Sequence, residues 1–102
     1  MADPIAQTTD APLRWRRDAD HWADLEPGEF CYRRREDGTV KWLNFWPCDS
    51  KAPLSASIAP QRNGNGAAWA LSGSEEAPTL SPSVDAAGVW HGFLTNGVAR
   101  GV

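Results

Sequence analysis

The side chains best equipped for chemistry gather late in the chain, where Thr79, Ser81 and Ser83 precede Val89-Trp90-His91-Gly92. A hydroxyl beside an imidazole is the raw material of nucleophilic catalysis, because the imidazole can take the proton that makes serine a weak nucleophile. Neither Ser81 nor Ser83 lies in a glycine-flanked elbow, and no oxyanion donor announces itself nearby, so the sequence gives no serine hydrolase and no catalytic residue. His91 sits between Trp90 and Gly92 inside an expected strand. There the expected role is structural, with the ring bonded to backbone or to a loop serine. Cys31, Cys48 and His91 together suit zinc by ligand type, but a fourth ligand, Asp49 or His21, would have to come from a distant loop. The expectation is therefore no metal and no cofactor. Gly64-Asn65-Gly66 is too short to cradle phosphate at a helix N-terminus and reads as a turn. Glu75-Glu76 reads as a solvated loop.

These residues must be held by short elements. Met1 to Leu13 is rich in Ala, Pro and Thr without helix or strand period, and is expected to be an extended or disordered arm preceding one β-rich domain over residues 14–102. Between Arg14 and Leu25, Asp18 or Asp20 is placed to cap one short helix that ends before Pro27-Gly28. Glu29 to Arg35 alternates as a strand with Phe30 and Tyr32 on one face and Cys31 on the other, and Asp37-Gly38 turns it into a partner over Thr39 to Trp46. In that partner Leu43 and Phe45 share one face and Val40, Trp42 and Trp46 the other, so both faces are expected to be at least partly covered. Leu54, Ala56 and Ile58 alternate against serines as a half-buried strand. Two Asn-Gly pairs between Gln61 and Gly66 make a turn before Ala67 to Ser72, with Trp69 and Leu71 on one face. Thr79 to Val84 contains Pro82, which cannot donate to a ladder and marks an edge or a bulge. A last hairpin runs from Val89 to Leu94, turns at Asn96-Gly97 and returns from Val98. The pattern predicts a mainly β fold, a small antiparallel sandwich or open barrel with at most one short N-terminal helix.

The chain has 102 residues, which suits one modest core, and a net charge of −3 with mixed signs. That balance argues against a dedicated nucleic-acid binder, in spite of the small clusters Arg14, Arg16, Arg17 and Arg33, Arg34, Arg35. No apolar run has the length of a membrane span, and the N-terminus lacks the charged and apolar regions of a signal peptide. The expected partners thus exclude nucleic acid and membrane. Synthesis in the cytoplasm with reduced thiols is the corresponding expectation. The six tryptophans compensate for few Ile and Leu, and most are expected in the core. One or two facing outward would be anchors of a protein interface.

Glu29-Phe30-Cys31-Tyr32, Trp69-Ala70-Leu71-Ser72-Gly73, Pro78 to Val84 and Trp90 to Gly97 occur in the order seen in a family of small proteins carried mostly by tailed phages and prophages. The chain resembles that family, which is classed as a domain of unknown function and sometimes mislabelled as an ammonia monooxygenase, over roughly residues 28 to 100. The departure lies at Trp46-Pro47-Cys48-Asp49, where relatives carry a Cys-Pro-Cys-Gly-Cys-Gly-like knuckle. If relatives hold a metal there, this chain has lost it. The resemblance implies a phage or prophage origin and supplies no activity. The resulting expectation is a non-enzymatic, phage-derived interaction module, a virion-associated accessory or capsid-decorating protein. It would be a homo-oligomer that binds a protein such as a phage structural component, found in the host cytoplasm during synthesis and in the virion. The alternative is a small anti-defence or regulatory protein holding a host protein or small ligand in a pocket lined by Trp90, His91, Thr79, Ser81 and Ser83, and behind it a zinc-binding protein.

Overall fold

The computed structural model describes residues 12–102. It is mainly β, as the alternation predicts, with three small open sheets that do not close into a barrel. The first sheet has the order β1 (Arg14–Trp15), β2 (Glu29–Arg34), β3 (Val40–Phe45), β4 (Leu54–Ser57). The second pairs β5 (Ala70–Gly73) with β6 (Pro78–Ser81), and the third has the order β7 (Val84–Ala86), β8 (Trp90–Thr95), β9 (Val98–Gly101). All pairings within sheets are antiparallel except that of β1 with β2. Isolated bridges from Ile58 to Trp69 and from Pro12 to Val98 stitch the sheets together.

Alternation along β2 and β3 sorts their side chains onto two faces, each against its own apolar cluster. Phe30, Tyr32, Leu43 and Phe45 face the main core, which Leu54, Ala56 and Ile58 extend and which Leu80, Val84, Trp90, Leu94 and Ala99 close from the other sheets. Cys31, with Trp46 packed against it, meets Ala19 and Leu25 on the opposite face. Both faces are covered because each recruits a different part of the chain.

The expected helix between Arg14 and Leu25 is mostly absent. Arg14 and Trp15 instead run parallel to β2, with Trp15 stacked on Phe30 at 6.1 Å between ring centroids and edge-on to Tyr32 at 5.4 Å. Extended backbone lets Trp15 reach both rings, and that packing outweighs a weak helical propensity. Only one 3₁₀ turn remains, Trp22–Asp24, and its cap is the His21 Nδ1, which accepts from the Ala23 N–H, rather than Asp18 or Asp20. A buried carboxylate fixes this corner. Glu29 accepts from the Arg16 guanidinium at 3.0 Å and from the Glu26 N–H at 2.8 Å.

Met1 to Ala11 of the expected arm lie outside the described residues. Its end is ordered, since Pro12 bridges to Val98 and Leu13 is buried in the main core. The tryptophans are less buried than expected. Trp90 alone among the six is fully inside, Trp15 and Trp69 pack on the main core, Trp46 on the smaller one, and Trp22 is 49% exposed. Three of the rings, those of Trp15, Trp46 and Trp69, cap cores from the side, as a broad amphipathic ring can.

Tyr32 is the only tyrosine, and burial, with the Glu75 carboxylate adding to it, pushes its phenol up to about 12. Its hydroxyl donates to the Glu75 carbonyl at 2.7 Å. A phenolate absorbance titration of the folded protein should therefore show its midpoint near 12 rather than at the ordinary tyrosine value of about 10. The phenol's pKa is raised on folding, so its contribution to stability is complete below about pH 10 and is lost as pH rises toward 12. A midpoint at the ordinary value would mean that the ring is solvated.

Candidate functional site

The hydroxyl-bearing segment and the histidine strand come together as neighbours. β6 and β7 are separated by Pro82 and Ser83, with a cis peptide between Ser81 and Pro82. Both halves run beside β8 and its turn. The Gly97 N–H donates to the Pro78 carbonyl at 2.8 Å, the Asn96 N–H donates to Thr79 Oγ1 at 2.9 Å, and Val84, Asp85 and Ala86 pair with Gly92, His91 and Trp90. Pro78, Leu80 and Val84 are buried while Ser81 and Asp85 are exposed, and the alternation is interrupted at the bend, where Pro82 is exposed and Ser83 half-buried.

On β8 the same alternation sends Trp90, Gly92 and Leu94 inward and His91, Phe93 and Thr95 outward. Asp85 and His91 are thus directly opposite each other on the outward face. Ser83 is half-buried, two positions before Asp85, and its carbonyl accepts from the Trp69 indole N–H at 3.2 Å. Its backbone is thereby anchored to the main core. Side chains at directly opposed strand positions lie about 5 Å apart at Cβ, and diagonal neighbours about 7 to 8 Å. Asp85 and His91 are such an opposed pair, and Ser83 lies just before the strand that carries Asp85.

Of the residues expected to line one pocket, Thr79 and Ser81 lie on β6 in the second sheet, Ser83 lies in the bend between β6 and β7, His91 is on the outward face of β8, and Trp90 does not share that face. Trp90 must point the other way because it is adjacent to His91 on a strand. It is 6% exposed, edge-on to Phe45 at 5.9 Å, and its Nε1 donates to Asp49 Oδ1 at 2.9 Å. The Trp-His-Gly triplet has a steric reason. A Cβ on Gly92 would lie 2.6 Å from the Trp90 ring and 2.2 Å from the Arg100 carbonyl oxygen, so only glycine lets the indole lie flat beneath β8.

Asp49 is the residue that sequence reasoning misjudged. It entered only as one of two distant side chains, with His21, that a zinc site would have needed, yet its carboxylate holds the indole of Trp90 and abuts Gly101, where a Cβ would be 2.8 Å from Oδ2. The thiols do not join it. Cys31 is buried beside Asn44 and the His21 carbonyl, and Cys48 is exposed beside Gly28. Among the described residues no three His, Cys, Asp or Glu side chains are grouped to hold a metal.

A second serine and histidine meet in a groove of about 380 Å³ on the outer face of the first sheet, lined by His21, Trp22, Arg33, Trp42, Asn44 and Ser55. Their chemistry is already committed. His21 Nδ1 accepts the Ala23 N–H, so a neutral ring carries its proton on Nε2 and presents no free lone pair. The Ser55 hydroxyl donates to Asn44 Oδ1 at 2.6 Å. The outward face of β7 and β8 is therefore the candidate active site.

Residues 16–102 match a family model described as a bacterial ubiquitination-like system serine protease (BubE). The chain belongs to that family. No curated protein and no solved structure matches it. The family corrects the sequence expectation of a non-enzymatic virion-associated or capsid-decorating module, and with it the anti-defence, regulatory and zinc-binding alternatives. The physical reason for the error is local. A nucleophile was sought at a glycine-flanked elbow, and the absence of one was read as the absence of an enzyme. Among the described residues no helix is long and apolar enough to cross a membrane.

Gly92→Ala should destabilise the fold by about 1 to 3 kcal/mol, because the added methyl overpacks a backbone and a ring that cannot both retreat. Urea denaturation followed by tryptophan fluorescence measures this. Wild-type stability in the alanine variant would show that the indole does not lie against β8.

Proposed function

We propose that this chain is a serine peptidase with Ser83 as nucleophile, His91 as general base and acid, and Asp85 as the carboxylate that orients the imidazole. The observation carrying the reading is the directly opposed Asp85 and His91 pair on an exposed strand face, with Ser83 in the adjoining segment. Family membership supports it. His91 takes the hydroxyl proton as Ser83 Oγ bonds to the carbonyl carbon of a substrate amide, and the charge moves to the carbonyl oxygen. Collapse of that adduct breaks the C–N bond, and the proton held by His91 leaves with the amine. Water, deprotonated by the same imidazole, then releases the acyl group and restores the serine. Each step uses groups that are present in the chain.

Ser83 is preferred to Ser81 on position. Ser81 is on β6, which pairs with β5, whereas Ser83 immediately precedes β7, the strand that pairs with the one carrying His91. Trp69 acts as a positioning residue, since its N–H pins the Ser83 carbonyl.

The substrate is a protein. The family's assignment to a ubiquitination-like system supports a ubiquitin-like partner whose tail carries the scissile amide. An exposed strand face suits such a tail. β7 is an edge strand of its sheet, and an edge of this kind accepts an extended chain by backbone pairing.

Ubiquitin-like fusions bearing a C-terminal extension, incubated with the purified protein and read by mass spectrometry, test this reading. Ser83→Ala and His91→Ala should each lower the rate by about 10³-fold or more, whereas Ser81→Ala should stay within a few-fold of wild type. Trp69→Phe should lower kcat about tenfold with little change in KM, the size expected from losing one hydrogen bond that places the nucleophile. Full activity in Ser83→Ala would overturn the assignment.

A further inference from the structure

We infer that the groove beside this face, formed by Phe93, Thr95, Asn96, Val98 and Arg100, is the subsite that selects the substrate by an apolar side chain close to the scissile bond. The inference rests on the peptidase reading and adds its specificity. Ser83 immediately precedes Val84, whose partner Gly92 immediately precedes Phe93, so the groove begins one residue along the chain from the pair next to the proposed nucleophile. Phe93 pairs with Arg100 and Thr95 with Val98 on β9, which makes the groove a two-strand trough on the side that carries His91.

Its apolar part is made by Phe93 and Val98, with Thr95, Asn96 and Arg100 around them, and those two side chains call for an apolar occupant. Phe93 is 45% exposed, one of few large apolar side chains left in solvent, and Val98 is half-buried beside it. With a volume of about 350 Å³ the trough has room for a leucine, methionine or phenylalanine side chain. An extended peptide advances about 3.4 Å per residue, so with its scissile carbonyl at Ser83 the side chain over the trough is one or two residues away. Strand backbone on both sides holds the trough in place before substrate arrives, which is the condition for selection by shape.

The test uses a set of fusion substrates that differ only in the residue one or two positions from the cleaved bond, carrying Leu, Ser, Asp or Lys. Wild type should prefer Leu over Ser by 10- to about 200-fold in kcat/KM, the range one apolar side chain commands in a pocket. Phe93→Ala should compress that ratio to a few-fold. Thr95→Asp, at an exposed position where folding is not at risk, should raise the relative rate on Lys. A Leu to Ser ratio unchanged in Phe93→Ala, with no gain on Lys in Thr95→Asp, would overturn the subsite while leaving the nucleophile standing. Labelling of wild type but not Ser83→Ala by a serine-reactive fluorophosphonate reads the nucleophile separately. Equal labelling of both would overturn the peptidase assignment and the subsite with it.

Discussion

The position of the Trp90 indole is the constraint on which the rest of the structure depends. It lies across Gly92, meets Phe45 edge-on and hands its N–H to Asp49, so one side chain joins the β7 to β9 sheet, the first sheet and the loop after β3. Burying an indole costs free energy unless its single donor is satisfied, and a carboxylate acceptor satisfies it more strongly than a neutral one. Asp49 therefore couples a loop to the strand that carries His91. Because adjacent strand residues face opposite ways, driving Trp90 inward obliges His91 to face out. The histidine's exposure follows from its neighbour's burial.

The same rule acts on the segment that supplies the hydroxyls. Leu80 and Val84 are both held in the main core, which leaves Ser81 and Asp85 exposed on either side of the bend that carries half-buried Ser83. Trp69 then fixes Ser83 through its carbonyl, using an indole whose ring packs on the same core. Two tryptophans thus place the two halves of the candidate site, one from beneath β8 and one from the flank of the β6 to β7 junction. Neither needs to touch a substrate to matter.

Most strands were legible because their apolar residues alternate against polar ones over four to six positions, as in Leu54, Ala56 and Ile58, and because Asp37-Gly38 and Asn96-Gly97 mark the turns. The Arg14 to Leu25 segment was not, since Trp15 gains more from two aromatic neighbours distant in sequence than the segment gains from a short helix. At the site, Thr79, Ser81, Ser83 and His91 stood out by residue type and by their place in the Pro-Thr-Leu-Ser-Pro-Ser and Trp-His-Gly blocks. The opposition of His91 and Asp85 was invisible because it depends on a cross-strand register that no local spacing encodes. A signal did exist. Once Val89 to Leu94 was read as a strand with Trp90 inward, pairing it with the segment ending at Val84 would have set an acid opposite the imidazole.

A catalytic group carried on strands differs physically from one at a strand-to-helix elbow. An elbow strains the backbone to expose a nucleophile, and a helix dipole helps to stabilise the oxyanion. A flat strand face offers neither, so in the proposed site backbone N–H groups at the outer edge of β7 supply the donors, which a small ester or amide would not engage in a fixed pose. A polypeptide tail would, because pairing along the edge aligns several of its amides at once and thereby fixes the scissile carbonyl. The construction of the site thus favours long, extended substrates over small ones, and places the selection among them in the residues that flank the bond. On a sheet this small, the precision of that alignment rests on the rigidity of β8, and hence on the contact between Trp90 and Gly92.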